Sequence, residues 1–286
     1  MDIKAFFDPD TSTVTYLVAD TETSKAAIID PVLDFDPAAG KLHTHSADAV
    51  LAEASDRGLE VVYVLDTHAH ADHLSAGDYI RKQTGALYGI GEHIQDVQKI
   101  FKSVFNALDV IPDGHVFDRL FSNGDTFKIG NLRVRVIHTP GHTPACLTYV
   151  IEDAAFVGDT LFMPDFGTAR ADFPGGDAAT LYRSIRKILS LPQETRIFVG
   201  HDYLPDGRNE YRWETTVAEE RTSNKHVHDG VSEAEFVAMR TARDAKLDAP
   251  RLILPSLQVN IRAGALPPEE ADGKTYLKIP VTATAP

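Results

Sequence analysis

The run Thr67-His68-Ala69-His70-Ala71-Asp72-His73 places three imidazoles and a carboxylate within seven residues. It directly follows Val61-Val62-Tyr63-Val64-Leu65, whose β-branched and aromatic character reads as a buried strand. The cluster therefore sits at the C-terminal end of a strand, where α/β sheets hold their ligands. Four potential donors so closely spaced predict a metal site rather than a polar surface turn.

One strand end rarely completes such a site, and three later ones supply further donors. Leu132 to Ile137 alternates as a half-buried strand and runs into Thr139-Pro140-Gly141-His142-Thr143-Pro144. The strands Cys146 to Ile151 and Ala154 to Val157 lead to Gly158-Asp159-Thr160, and Arg196 to Val199 leads to Gly200-His201-Asp202-Tyr203. Each strand is followed by a small or rigid residue and then by His or Asp, which aims a side chain from the sheet edge toward a common point.

The H-x-H-x-D-H element, followed in order by a lone His, a lone Asp and a last His, resembles the metallo-β-lactamase fold superfamily. The likeness runs roughly from Asp2 to His228 and implies an αββα four-layer sandwich with the site on one edge. In that superfamily His68, His70 and His142 would face one metal position and Asp72, His73 and His201 the other, with Asp159 able to bridge them.

A length of 286 residues, 43% of them hydrophobic and 24% charged, suits one domain over 1–286. Prolines 250, 255, 267 and 268 suggest that its C-terminal extension, from about residue 229, is irregular. No stretch has the apolar length of a membrane span and the N-terminus lacks a signal-peptide pattern, so no membrane contact and a cytoplasmic location are expected. The net charge of −14 argues against nucleic acid as a partner. A single cysteine, Cys146, excludes an internal disulfide framework and reads as a buried small side chain.

Helices are expected from Ser46, as an N-cap, through Ala54, from Ala76 to Gly85, from Ile94 to Leu108 and from Asp177 to Leu189. A last one opens on the Ser232/Glu235 capping box and runs to about Lys246. Of the remaining histidines, His138 reads as structural, and His43, His45, His226 and His228 as loop residues without partner spacing.

The finer motifs narrow the resemblance. Pro140 to Cys146, Gly158 to Phe162, Arg170-Ala171-Asp172-Phe173 and Gly200 to Tyr203 look like the persulfide dioxygenases. Tyr211-Arg212-Trp213 to Arg221 is also similar to the bacterial branch called β-lactamase hydrolase-like. The dioxygenase resemblance implies oxidation of glutathione persulfide by O₂ to glutathione and sulfite at one Fe(II) per chain, ligated by His68, His142 and Asp159. His70, Asp72, His73 and His201 then surround the metal without binding it, and Asp202 is placed to hydrogen-bond an imidazole. Ala145 and Ala169 stand where that family often has Gly, a change that matters only if φ is positive there.

Two carboxylates on glutathione call for local cations, and Arg170, Arg212 and Lys225, with the Tyr203 hydroxyl, fall in segments expected to rim the cleft. For Arg170, a structural pair with Asp172 is the equal alternative. No sulfurtransferase segment with its own cysteine is present, so such a partner would be a separate chain, and a homodimer is expected. The competing enzyme class is a glyoxalase II-like thioester hydrolase with two zinc ions per chain, for which the complete donor set is also present.

Overall fold

Two apolar runs open the chain and pair with each other. In the computed structural model, which describes residues 1–282, β1 (Asp2–Asp8), β2 (Thr13–Asp20) and β3 (Lys25–Ile29) form an antiparallel meander. A small hairpin, β4 (Val32–Asp36) and β5 (Lys41–His43), leads to α1 (His45–Asp56), β6 (Glu60–Leu65), β7 (Leu74–Ser75) and α2 (Gly77–Thr84). Next come β8 (Leu87–Gly91), α3 (Ile94–Val104) and β9 (Arg119–Phe121). The second half contains β10 (Thr126–Ile129), β11 (Leu132–His138), β12 (Leu147–Ile151), β13 (Ala154–Phe156), α4 (Ala178–Ile188), β14 (Arg196–Phe198) and β15 (Glu214–Thr216). It closes with α5 (Val217–Ser223), α6 (Glu233–Asp244) and α7 (Ile253–Asn260).

The strands build two six-stranded sheets, ordered β1-β2-β3-β6-β8-β9 and β10-β11-β12-β13-β14-β15. Three apolar layers follow from that arrangement. Between the sheets lie Tyr16, Phe121, Phe127, Tyr149, Phe156 and Phe198, among others, with Tyr16 edge-on to Phe156 and Phe198 at 5.2 and 5.5 Å. Residues of α1, α2, α3 and α7 cover the outer face of the first sheet, and those of α4 and α6 the outer face of the second. This is the expected αββα sandwich.

Helix signals hold where the cap chemistry is local. Asp177 accepts the Thr180 N–H and starts α4, which turns Leu181, Ile185 and Ile188 inward. Ser232 and Glu235 form the expected capping box at α6. At α1 the N-cap is Thr44 rather than Ser46, because the Ser46 N–H and hydroxyl both donate to Asp34 of β4. The third helix stops at Val104, short of Leu108, where Asn106 turns to a φ of 47°. The extension expected to be irregular contains α7, whose last residues are buried against β7 and the loop before it.

Candidate metal centre

Four strand ends deliver the predicted donors to one edge of the sandwich. His68 to His73 follow β6, His142 follows β11, Asp159 follows β13 and His201 follows β14. The turn carrying His142 requires Gly141: its φ is 133°, and a Cβ there would lie 2.3 Å from the Leu181 backbone. Ala145 and Ala169 do not have positive φ, so these replacements of Gly cause no backbone strain.

The donors form two adjacent groups. In the first, one ligand atom each from His68, His142 and Asp159 lies within 4.8 Å of the others. His142 Nε2 is 3.6 Å and His68 Nε2 3.9 Å from Asp159 Oδ2. His70, Asp72 and His73 form the second. His201 Nε2 lies between the groups, 3.3 Å from both Asp72 Oδ2 and Asp159 Oδ1.

Four of the five imidazoles are held by the nitrogen that faces away from this centre, and the fifth, His73, has its Nδ1 3.2 Å from Asp72 Oδ2. His142 Nδ1 donates to the Arg170 carbonyl at 2.8 Å and His201 Nδ1 to the Ser12 carbonyl at 3.1 Å. His70 Nε2 donates to Asp30 at 3.0 Å, and His68 Nδ1 contacts the Thr67 hydroxyl at 3.0 Å. The inward atoms His68 Nε2, His70 Nδ1, His73 Nε2 and Asp159 Oδ1 are buried with no hydrogen-bond partner. Buried polar atoms almost always have a partner, so a convergent set of orphaned lone pairs fits a metal cation. Burial, and then the neighbouring imidazoles, hold His68 and His70 well below the usual histidine pKa, in the neutral form that can ligate. At Asp72 burial pushes upward, yet His201, His73 and His70 together keep the carboxylate well below its ordinary range.

The sequence missed Asp30. It ends the apolar run of β3 just as the recognised donors end theirs, so the same strand-end rule would have found it. Asp30 accepts from the Thr67 N–H at 2.7 Å, the Thr67 hydroxyl at 2.8 Å and His70. Asp202 does not hold an imidazole as expected. Its carboxylate is taken by the Arg208 guanidinium and the Arg212 N–H, which fixes the turn after His201 instead.

A cleft of about 370 Å³ opens onto the centre, lined by Asp72, His142 and Asp159 and by Phe162, Phe166, Tyr203 and Leu247. Tyr203 stacks on His201 with ring centroids 5.4 Å apart. Arg170 reaches the cleft wall, but its guanidinium is engaged by Asp172 at 2.5 and 2.7 Å and by the Asp248 carbonyl. Arg212 and Lys225 are not among the lining residues; Lys225 instead lies 5.3 Å from the Phe166 ring centroid.

Arg243 and Arg251, from α6 and the segment after it, line the cleft and have no carboxylate partner among the described residues. Sequence spacing offered no signal for them. His226 also lines the cleft and is more than a loop histidine. The Thr168 N–H donates to its Nδ1 at 3.1 Å, so Nε2 carries the proton, and burial with Arg243 and Arg240 lowers its pKa to about 3. Tyr211 and Trp213 pack on Phe7 and anchor the edge of the second sheet. Cys146 is buried, and burial pushes its thiol up to about 12, which keeps it protonated.

Comparison with known proteins agrees with this geometry. The metallo-beta-lactamase superfamily model matches residues 8–201, and the chain belongs to that superfamily. It is 52% identical to a beta-lactamase hydrolase-like protein of Xylella fastidiosa over 98% of this chain, but spans only 65% of that protein's length. It is 49% identical to glyoxylase B2 of Dictyostelium discoideum, covering 98% of this chain and 96% of that protein. To the human mitochondrial persulfide dioxygenase ETHE1 it is 32% identical, covering 93% and 90%. The crystal structure of ETHE1 from Myxococcus xanthus superposes with a TM-score of 0.74 at 31% identity, covering 93% of this chain and all of that one. No helix among the described residues is long and apolar enough to cross a membrane.

Proposed function

We propose that the chain is a persulfide dioxygenase, which oxidises glutathione persulfide with O₂ to sulfite and glutathione at one Fe(II). The observation that carries this reading is the compact trio of His68, His142 and Asp159 beside an open cleft. Two imidazoles and a carboxylate leave positions free for a soft sulfur donor and for dioxygen. The likeness to the ETHE1 proteins supports the same assignment. When bound, the iron would supply the redox chemistry, and the protein's part is to orient. Thr67 and the Arg170 carbonyl hold His68 and His142, Phe162 and Phe166 restrict water, and Arg243 and Arg251 meet the substrate carboxylates.

A second reading, a dinuclear thioester hydrolase, is favoured by one observation: His70 Nδ1 and His73 Nε2 are buried without a hydrogen-bond partner just as His68 Nε2 and Asp159 Oδ1 of the trio are. The glyoxylase B2 relative points the same way. Metal analysis of anaerobically prepared protein, with oxygen uptake on glutathione persulfide, separates the two. One iron per chain with persulfide-dependent uptake is expected. Two zinc ions per active chain without uptake would assign the hydrolase. Under the one-metal reading His68→Ala empties the site, whereas Asp72→Ala retains metal and slows turnover. Equal loss of metal in both variants would refute it.

A further inference from the structure

The last residue of α7 reaches back to the ligand turn. The Asn260 amide donates to the His70 carbonyl at 2.8 Å and to the His73 carbonyl at 2.9 Å, while its oxygen accepts the Ser75 N–H at 2.8 Å. One buried side chain thus closes both ends of the turn that carries His70, Asp72 and His73, across 190 and 187 residues of sequence. Replacing it with an apolar group would leave two carbonyls and an N–H buried without partners.

The end of α7 is itself fixed. Gln98 of α3 donates to the Ile261 carbonyl at 2.9 Å, and Arg262 forms a two-point ion pair with Asp109 at 2.7 and 2.8 Å. Beyond the helix, Gly264 packs so closely on β7 that a Cβ would lie 2.7 Å from the Ser75 carbonyl. A helix anchored at these points cannot follow a displaced turn, so the amide acts as a rigid reference for the ligands.

We propose that Asn260 is a positioning residue for the metal centre, through which the C-terminal extension sets the geometry of the His70–His73 turn. The inference does not depend on whether the site performs dioxygenation or hydrolysis, because the turn continues directly from His68, a ligand under both readings, so a displaced turn backbone shifts His68 even where the His70, Asp72 and His73 side chains bind no metal.

Asn260→Asp tests it, because the side chain keeps its size and its acceptor for Ser75 but turns an oxygen toward two carbonyls. Gln258→Ala is the comparator. Gln258 is equally buried on α7, but ties the helix to Lys278 and not to the ligand turn. Metal-free full-length proteins are loaded with Co²⁺ alone, and affinity by chelator competition, the visible spectrum and the melting temperature are recorded. Asn260→Asp is expected to weaken Co²⁺ binding about tenfold or more and to alter the visible bands, the range typical of groups that orient ligands. Gln258→Ala should lower the melting temperature with affinity and spectrum retained. Should Asn260→Asp fail to fold, Asn260→Ser, which keeps one donor and one acceptor, is expected to show a smaller loss in the same direction. Unchanged affinity and spectrum in the folded Asn260 variant, or equal changes in Gln258→Ala, would overturn the proposal.

Discussion

Asp30→Asn is a one-atom test of how the first ligand receives its tautomer. Asp30 accepts the Thr67 hydroxyl proton at 2.8 Å, which leaves Thr67 Oγ1 free to accept from His68 Nδ1 at 3.0 Å. The proton on Nδ1 leaves Nε2 as the bare, orphaned lone pair. Burial raises the Asp30 pKa, and the field of His68 and the Thr67 donors works against that rise. In Asp30→Asn the amide oxygen can still accept from the Thr67 N–H and His70, so the NH₂ falls opposite the Thr67 hydroxyl. That hydroxyl must then direct its proton toward His68 Nδ1, which favours placing the ring proton on the metal-facing Nε2.

Backbone strain does not confuse the result, since Asp30 has a φ of 50° and Asn adopts the left-handed region readily. The expected loss is about 10- to 100-fold in metal affinity, or roughly 1.4 to 2.7 kcal/mol. Chelator competition with Zn²⁺ as the probe measures it. Thr67→Val should behave like Asp30→Asn, while Thr67→Ser, which keeps the hydroxyl, should stay near wild type. Wild-type affinity in Asp30→Asn, or indistinguishable Thr67→Val and Thr67→Ser proteins, would refute the relay.

Three further outcomes are expected. Arg243→Ala combined with Arg251→Ala should raise the KM for glutathione persulfide roughly five- to tenfold with metal content unchanged, since exposed charge pairs contribute about 1 kcal/mol or less each; an unchanged KM would remove them from the substrate site. Arg170→Gln and Asp172→Asn should lower the melting temperature alike and loosen the metal, because their pair steadies the carbonyl that holds His142; a KM effect confined to Arg170→Gln would restore it as a substrate contact. Glu220 is buried, and burial raises its carboxyl from 4.5 to about 8. Its folded form holds the proton more tightly than the unfolded form, so its contribution is complete below 4.5 and is lost as pH rises through about 8. Glu220→Gln should flatten that decline in denaturant titrations across the same pH range, and an unchanged slope would contradict the assignment.

The site was legible in the sequence because each donor sits one turn beyond an apolar strand, and strands advertise themselves by local pattern. The same rule identified His68, His70, Asp72, His73, His142, Asp159 and His201, and applied to Ala26 to Ile29 it would have reached Asp30 as well. The αββα layering was what the superfamily resemblance implied, whereas the helix starts at Asp177 and Ser232 were legible directly, because their cap hydrogen bonds lie within three residues.

Contacts between distant segments were not legible. The sequence placed Arg170, Arg212 and Lys225 together at the cleft by their nearness to recognised motifs. In the fold Arg170 is engaged by Asp172, while Arg212 and Lys225 fall outside the lining. The cleft cations without a carboxylate partner among the described residues, Arg243 and Arg251, come from α6 and the segment after it, where no short-range pattern marks them. Asn260 is the extreme case, since its three partners lie 185 to 190 residues away and a lone Asn at a helix end has no signature. Local periodicity decides which residues can become strand-end ligands, because it depends only on which face of a strand or helix is apolar. Which nitrogen each imidazole turns inward, and which arginine a carboxylate engages, depend on partners that only the folded chain brings within hydrogen-bond distance.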